Sequence, residues 1–162
     1  MKKITYIFIL AISFFSCKTE TPKTFSDEAL NDTFITLDGD SMPFKDVLEA
    51  HKGKTIVIDI WASWCSDCIK GMPKVKVLQS NFKDATYIFL SLDKSQEAWK
   101  KGIKKYDVQG VHYFMQSGWK GPFGTFVELD WIPRYMIVDP DGTIKAFKAI
   151  EADDNKLIEA LK

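Results

Sequence analysis

Thr55-Ile56-Val57-Ile58-Asp59-Ile60-Trp61-Ala62-Ser63-Trp64-Cys65-Ser66-Asp67-Cys68 is the stretch on which the fold turns. Thr55 to Ile60 is β-branched and almost continuously apolar, the pattern of a central strand buried on both faces. Cys65 and Cys68 follow where that strand ends and a helix begins, over about Cys65 to Phe82. A sulfur at the head of a helix meets unpaired backbone N–H groups and the positive end of the helix dipole, and both favour its thiolate. The second sulfur, one turn later, is near enough to close a disulfide. The pair therefore reads as a reactive dithiol.

The rest of the composition narrows the field. A chain of 162 residues, 46% hydrophobic, suits one domain with a sizeable core. Lys plus Arg and Asp plus Glu both number 22, and no basic run is long enough to suggest a nucleic-acid binder. The two histidines, His51 and His112, show no metal-ligand spacing and read as surface or packing residues. A zinc site needs four ligands, and there is a single C-x-x-C.

Residues 1–16 read as a targeting segment. Lys2 and Lys3 precede the apolar run Ile4 to Phe15, which is shorter than the about 20 residues of a bilayer span. Ser16 and Cys17 follow, in the manner of a bacterial lipoprotein signal cut before a cysteine that becomes lipidated. Phe14 departs from that pattern, where Leu is usual. A plain secretory signal and an uncleaved anchor are the alternatives. The total of three cysteines agrees with a lipidated Cys17, which leaves Cys65 and Cys68 as a pair. The polar stretch 17–32 reads as a flexible tether, and 33–162 as the folded domain.

Along that domain the patterns predict a strand at Phe34–Leu37 and a short helix from Pro43 to about Ala50, capped by Ser41. Pro73 is expected to kink the helix that follows the cysteines. Ala85–Leu92 reads as a second buried strand, and Ser95 as the cap of a helix through Tyr106. A third strand is expected at Val111–Met115, then a loop with a short helix to Asp130. Asp139-Pro140-Asp141-Gly142 marks a turn between strands Arg134–Val138 and Thr143–Lys148, and Asp153 the cap of a last helix, Asn155–Leu161. Right-handed crossovers then dictate a parallel core covered by helices, made mixed by the final hairpin.

With Val57-Ile58-Asp59-Ile60-Trp61-Ala62-Ser63-Trp64-Cys65-Ser66-Asp67-Cys68, Ile132-Pro133 and Asp139-Pro140-Asp141-Gly142 in view, the chain resembles the thioredoxin superfamily over about residues 34–162. More narrowly it resembles the extracytoplasmic, TlpA-like thiol-disulfide oxidoreductases. The resemblance implies an α/β, thioredoxin-like fold with a central mixed β-sheet flanked by helices and a short N-terminal extension. It implies that Cys65 is the nucleophile, Cys68 the resolving thiol, and Pro133 a cis proline lying against the disulfide. The Ile132 peptide would pair with substrate backbone, and Asp59 would relay protons to Cys68. Trp61 and Trp64 are expected to form an apolar docking rim, with Ser66, Asp67 and Arg134 beside the substrate. Asp67 and Arg134 depart from the Pro and Thr common at those places.

Such chemistry needs neither metal nor organic cofactor. The expected partners are protein thiol or disulfide substrates and an upstream electron donor, with the membrane reached through lipid on Cys17 and a periplasmic location. A carboxylate at Asp67 disfavours a nearby thiolate and so points to a reductant, an effect that Arg134 offsets in part. An isomerase or oxidase of the same fold, and a redox-inert lipoprotein adaptor, are the alternatives. A purely stabilising bridge closing so short a loop constrains the unfolded chain little. A peroxidase of the peroxiredoxin type fits poorly, because Ile58 and Trp61 stand where it needs Pro and Thr or Ser. Trp99, Trp119 and Trp131 read as core or lid residues. For Tyr113, Phe114, Phe123 and Phe126, lid and core readings stay open.

Overall fold

The computed structural model describes residues 21–162; the signal-like segment and Cys17 lie outside them. The element order is α1 (Asp27–Leu30), β1 (Thr33–Ile35), β2 (Ser41–Pro43), α2 (Phe44–Glu49), β3 (Ile56–Trp61), α3 (Ser66–Asn81), β4 (Thr86–Ser91), α4 (Gln96–Tyr106), β5 (Val111–Phe114), α5 (Pro122–Phe126), β6 (Arg134–Val138), β7 (Ile144–Ala149) and α6 (Asn155–Ala160).

The strands form one seven-stranded sheet in the order β2-β1-β5-β4-β3-β6-β7. β3, β4 and β5 run parallel, and β6, β7, β1 and β2 each pair antiparallel to a neighbour, so the sheet is mixed as expected. All six residues of β3 are buried, which is why its sequence shows no polar alternation. β3 lies between β4 and β6, so its C-terminal end, with Trp61 and the cysteines beyond, projects from the middle of the sheet.

Three local expectations are corrected. Residues 17–32 are not all tether. Ser26 caps α1, and Phe25 and Ala29 are buried, with Phe25 and Phe44 ring centroids 5.0 Å apart. Asp32, also buried, accepts hydrogen bonds from the Phe123 N–H at 2.9 Å and the Ser117 hydroxyl at 2.8 Å. These apolar anchors are too sparse to show a period, so composition alone suggested disorder. Second, Ser41 pairs in β2 instead of capping α2, whose N-cap is Pro43. Third, Asp154 and not Asp153 caps α6; the Asp153 carboxylate is drawn to Lys74 at 3.0 Å. Pro73 lies inside α3, which runs through it as one helix. Of the undecided aromatics, Phe123 is fully buried among Phe25, Phe34 and Phe44, its ring 4.6 Å from that of Phe44.

The loop between β3 and α3 is clamped from two sides. The buried Asp93 carboxylate, just past β4, accepts from the Ser63 N–H at 3.1 Å, the Ser63 hydroxyl at 2.6 Å and the Ser91 hydroxyl at 2.9 Å. The Leu92 N–H donates to the Trp61 carbonyl at 2.8 Å. From the other side α4 packs so closely that a Cβ on Gly102 would sit 2.4 Å from the Ser63 Cβ. In an exposed helix interior Ala is favoured over Gly by about 1 kcal/mol. Here that order reverses: Gly102→Ala should destabilise the protein by about 1–3 kcal/mol, because the clash lies against a hydrogen-bonded loop. Urea unfolding of the oxidised protein measures it, and a stabilised variant would contradict the clamp.

Candidate active site

Cys65 is the N-cap of α3, and the Cys68 N–H donates to its Sγ at 3.0 Å. A tight turn, in which the Cys65 N–H donates to the Ala62 carbonyl at 3.1 Å, delivers the sulfur there. Cys65 and Cys68 form a disulfide with Cα atoms 5.3 Å apart. Cys65 retains 6% exposure and Cys68 1%, so an incoming sulfur meets Cys65 first. The Cys65 Sγ lies 3.6 Å from the Ile132 carbonyl oxygen, and the Ile132–Pro133 peptide is cis. The two distant sequence motifs therefore meet at one point.

Asp59 is 3% exposed, and neither carboxylate oxygen has a hydrogen-bond partner. It stands opposite Phe89 on β4 and Tyr135 on β6. Directly opposed residues share a face of the sheet. The Tyr135 hydroxyl reaches α3, lying 3.5 Å from where a Cβ on Gly71 would be. Asp59 thus faces the helix that carries Cys68, one turn before Gly71. With no cation or donor to offset desolvation, burial pushes the Asp59 carboxyl up to about 8. Tyr135 is pushed upward too, first by burial and then by the negative charges of Asp59, Glu151 and Asp153.

Two placements differ from expectation. Trp61 is fully buried as the last residue of β3 and forms no docking rim, whereas Trp64 in the following loop is 52% exposed. Asp67 is exposed, pairs with Lys70 at 3.4 Å and lines the groove with Cys65, on the side of the sulfurs where it was expected. Arg134 is buried and turned to another part of the chain: Nη1 donates to the Val127 carbonyl at 3.1 Å and Nη2 to Asp130 at 2.5 Å. Its guanidinium is thus engaged by Val127 and Asp130.

Beside the disulfide runs a groove of about 360 Å³. Trp64, Ser66 and Asp67 form one wall, Trp119, Asp130, Trp131 and Ile132 the other, and Cys65 lies between them. Trp119 and Trp131, read from sequence as core or lid, are groove residues; Trp131 is 56% exposed. Trp99 is core, as expected. Sequence reasoning also passed over Asp93 and Gly102, whose partner Ser63 lies far away along the chain. Among the described residues no three His, Cys, Asp or Glu side chains are placed to hold a metal, and no helix is long and apolar enough to cross a membrane.

Burial of Asp59 has a measurable consequence. Its folded pKa lies above its unfolded value, so the folded protein keeps a proton that the unfolded chain has lost. That stability is fully present below about pH 4 and disappears as pH rises towards about 8. Asp59→Asn should remove this slope. The variant's advantage over wild type should grow by roughly 4–5 kcal/mol between pH 4 and pH 8. Groups shared by both proteins, His51 and His112 included, cancel in the comparison. Parallel unfolding curves at both pH values would contradict an uncompensated Asp59.

Comparison with known proteins agrees with this geometry. Residues 53–144, more than half of the chain, match a family model described as thioredoxin-like. The thiol-disulfide oxidoreductase ResA of Bacillus thuringiensis is 32% identical over 134 residues, which are 80% of this chain and 70% of that protein. ResA of Bacillus cereus is 29% identical over 119 residues, 72% of this chain but only 65% of that protein's length. The solution structure of a thiol:disulfide interchange protein from Bacteroides sp. superposes with a TM-score of 0.65 at 27% identity, covering 86% of this chain and 88% of that one. A strand-to-helix dithiol set against a cis proline, in a chain so matched, belongs to the thioredoxin-like thiol-disulfide oxidoreductases.

Proposed function

We propose that this protein reduces disulfides of protein substrates in the bacterial envelope, exchanging two electrons and two protons through Cys65 and Cys68. The observation that carries this reading is the Cys65 Sγ. It sits at the head of α3, accepts from the Cys68 N–H, and borders an open groove beside Ile132-Pro133. In the dithiol form the helix terminus favours a Cys65 thiolate. That thiolate attacks one sulfur of the substrate disulfide, forms a mixed disulfide and expels the other sulfur, which takes a proton from solvent. The fraction of Asp59 that is ionised near neutral pH, its carboxyl lying at about 8, accepts the Cys68 proton. The Cys68 thiolate attacks the Cys65 sulfur, closes the Cys65–Cys68 bond and releases the second substrate thiol. An upstream dithiol restores the enzyme by the reverse sequence, with Asp59 returning the proton to Cys68.

The direction of flow rests on Asp59. Once Asp59 ionises, towards about pH 8, its carboxylate, which has no counter-ion, disfavours thiolate on the helix it faces and so destabilises the reduced form. The exposed, lysine-paired Asp67 contributes little. We place the protein outside the cytoplasm through the signal-like residues 1–16, held to the membrane by lipid on Cys17, with 17 to about 24 as the tether.

Insulin reduction by dithiothreitol should be accelerated by the domain and lost in Cys65→Ser; equal rates for the two proteins would leave only an adaptor. Cys68→Ser should accumulate mixed disulfides on Cys65 that non-reducing gels resolve, and failure to trap any would remove Cys68 from the resolving role. Equilibration with glutathione should give a reducing couple; a potential near about −120 mV, that of a strong oxidant, would reverse the assigned direction.

A further inference from the structure

Arg134 is a poor device for stability. Its side chain is 4% exposed, its Nε has no partner, and its carboxylate partner Asp130 is 84% exposed. A buried cation met on only part of its donor set is commonly no better than an apolar residue of similar size. What it does is geometric. Through the Val127 carbonyl and Asp130 it ties both ends of the segment 127–130 to the first residue of β6. Within that segment Glu128 has φ 46°, a left-handed conformation that costs a non-glycine residue about 1–2 kcal/mol. Glu128 is further tied to Lys148 on β7, itself at φ 60°. Such backbone persists only where surrounding contacts over-determine it. The next residues are Trp131 and Ile132, which form the groove wall facing Trp64 across Cys65.

We infer that Arg134 is a positioning residue for protein substrates: it staples segment 127–130 so that Trp131 and Ile132 stand ready beside Cys65. A preformed wall spares the substrate the entropy of ordering a loop on docking. The chemistry of Cys65 itself, set by α3 and the Cys68 N–H, is left untouched. The inference rests on the proposed disulfide exchange and concerns recognition of an extended polypeptide only.

The test compares a protein disulfide with a small one that does not need the wall. Arg134→Gln removes the staple, and Arg134→Met removes it with an apolar side chain of similar size, which a buried site of this kind tolerates while the exposed Asp130 needs no partner. In both, the KM for insulin should rise about 5- to 10-fold with kcat held within about twofold, the pattern of lost uniform binding. Reduction of 5,5′-dithiobis(2-nitrobenzoate), and the pH profile of Cys65 alkylation, should match wild type. An unchanged KM for insulin in Arg134→Met, or equal losses on insulin and the small disulfide, would overturn the staple whether or not Arg134→Gln folds. If wild type turns over neither disulfide, the proposed function itself fails and takes this inference with it. Wild-type turnover with unaltered variants condemns the staple alone.

Discussion

The hydrogen bond from the Cys68 N–H to the Cys65 Sγ depends on where a fully buried strand stops. β3 has no solvent-facing side, so its residues cannot slip or twist without disturbing β4 and β6 together. That rigidity fixes where Trp61 ends and where α3 must begin. Cys65 then falls at the N-cap, a place usually filled by a side-chain oxygen, and the sulfur takes over the acceptor's duty. A group that already receives a backbone N–H in the disulfide is prepared to carry negative charge once reduced. Asp93 and Gly102 extend the same constraint outward by holding the loop at Ser63.

The buried acid works against this stabilisation. Asp59 occupies the centre of the sheet without a hydrogen bond, an expensive place for a carboxyl group that contributes no packing beyond its own volume. Its neighbours across the strands, Phe89 and Tyr135, supply no cation. A group whose pKa is displaced to about 8 exchanges its proton near neutral pH, where both directions of transfer are accessible. Cys68, with 1% exposure, has little direct contact with bulk water, so a proton acceptor inside the fold serves it better than solvent.

The parts of the molecule legible in the sequence are those whose cause is local. A β-branched run, a C-x-x-C at its end, an Ile-Pro before a second apolar run and an Asp-Pro-Asp-Gly turn each carry their meaning within a few residues. Trp61 was misplaced because it was grouped with Trp64 by motif; its membership of β3 buries it, and the loop that follows exposes Trp64. Arg134 was aimed at the sulfurs because it follows Pro133, but direction along a strand says nothing of where a long side chain ends. Phe25, Asp32, Asp93 and Gly102 act through partners far along the chain, and a periodicity reading has no access to such pairs.

Reactivity and recognition are carried by different parts of the chain. The sulfur, its N–H donor and the buried acid belong to β3 and α3, which the sheet holds fixed. The facing wall, Trp119 and Asp130 to Ile132, lies in connections between α5, β5 and β6, where backbone departs from regular geometry. Loops on a rigid frame tolerate change that strands do not. On the proposed function, a change in the wall alters which polypeptide reaches Cys65, while a change in β3 or α3 alters what Cys65 does to all of them. The three tryptophans supply broad apolar contact with few rotatable bonds, so they can grip unlike sequences around a cystine at small entropic cost.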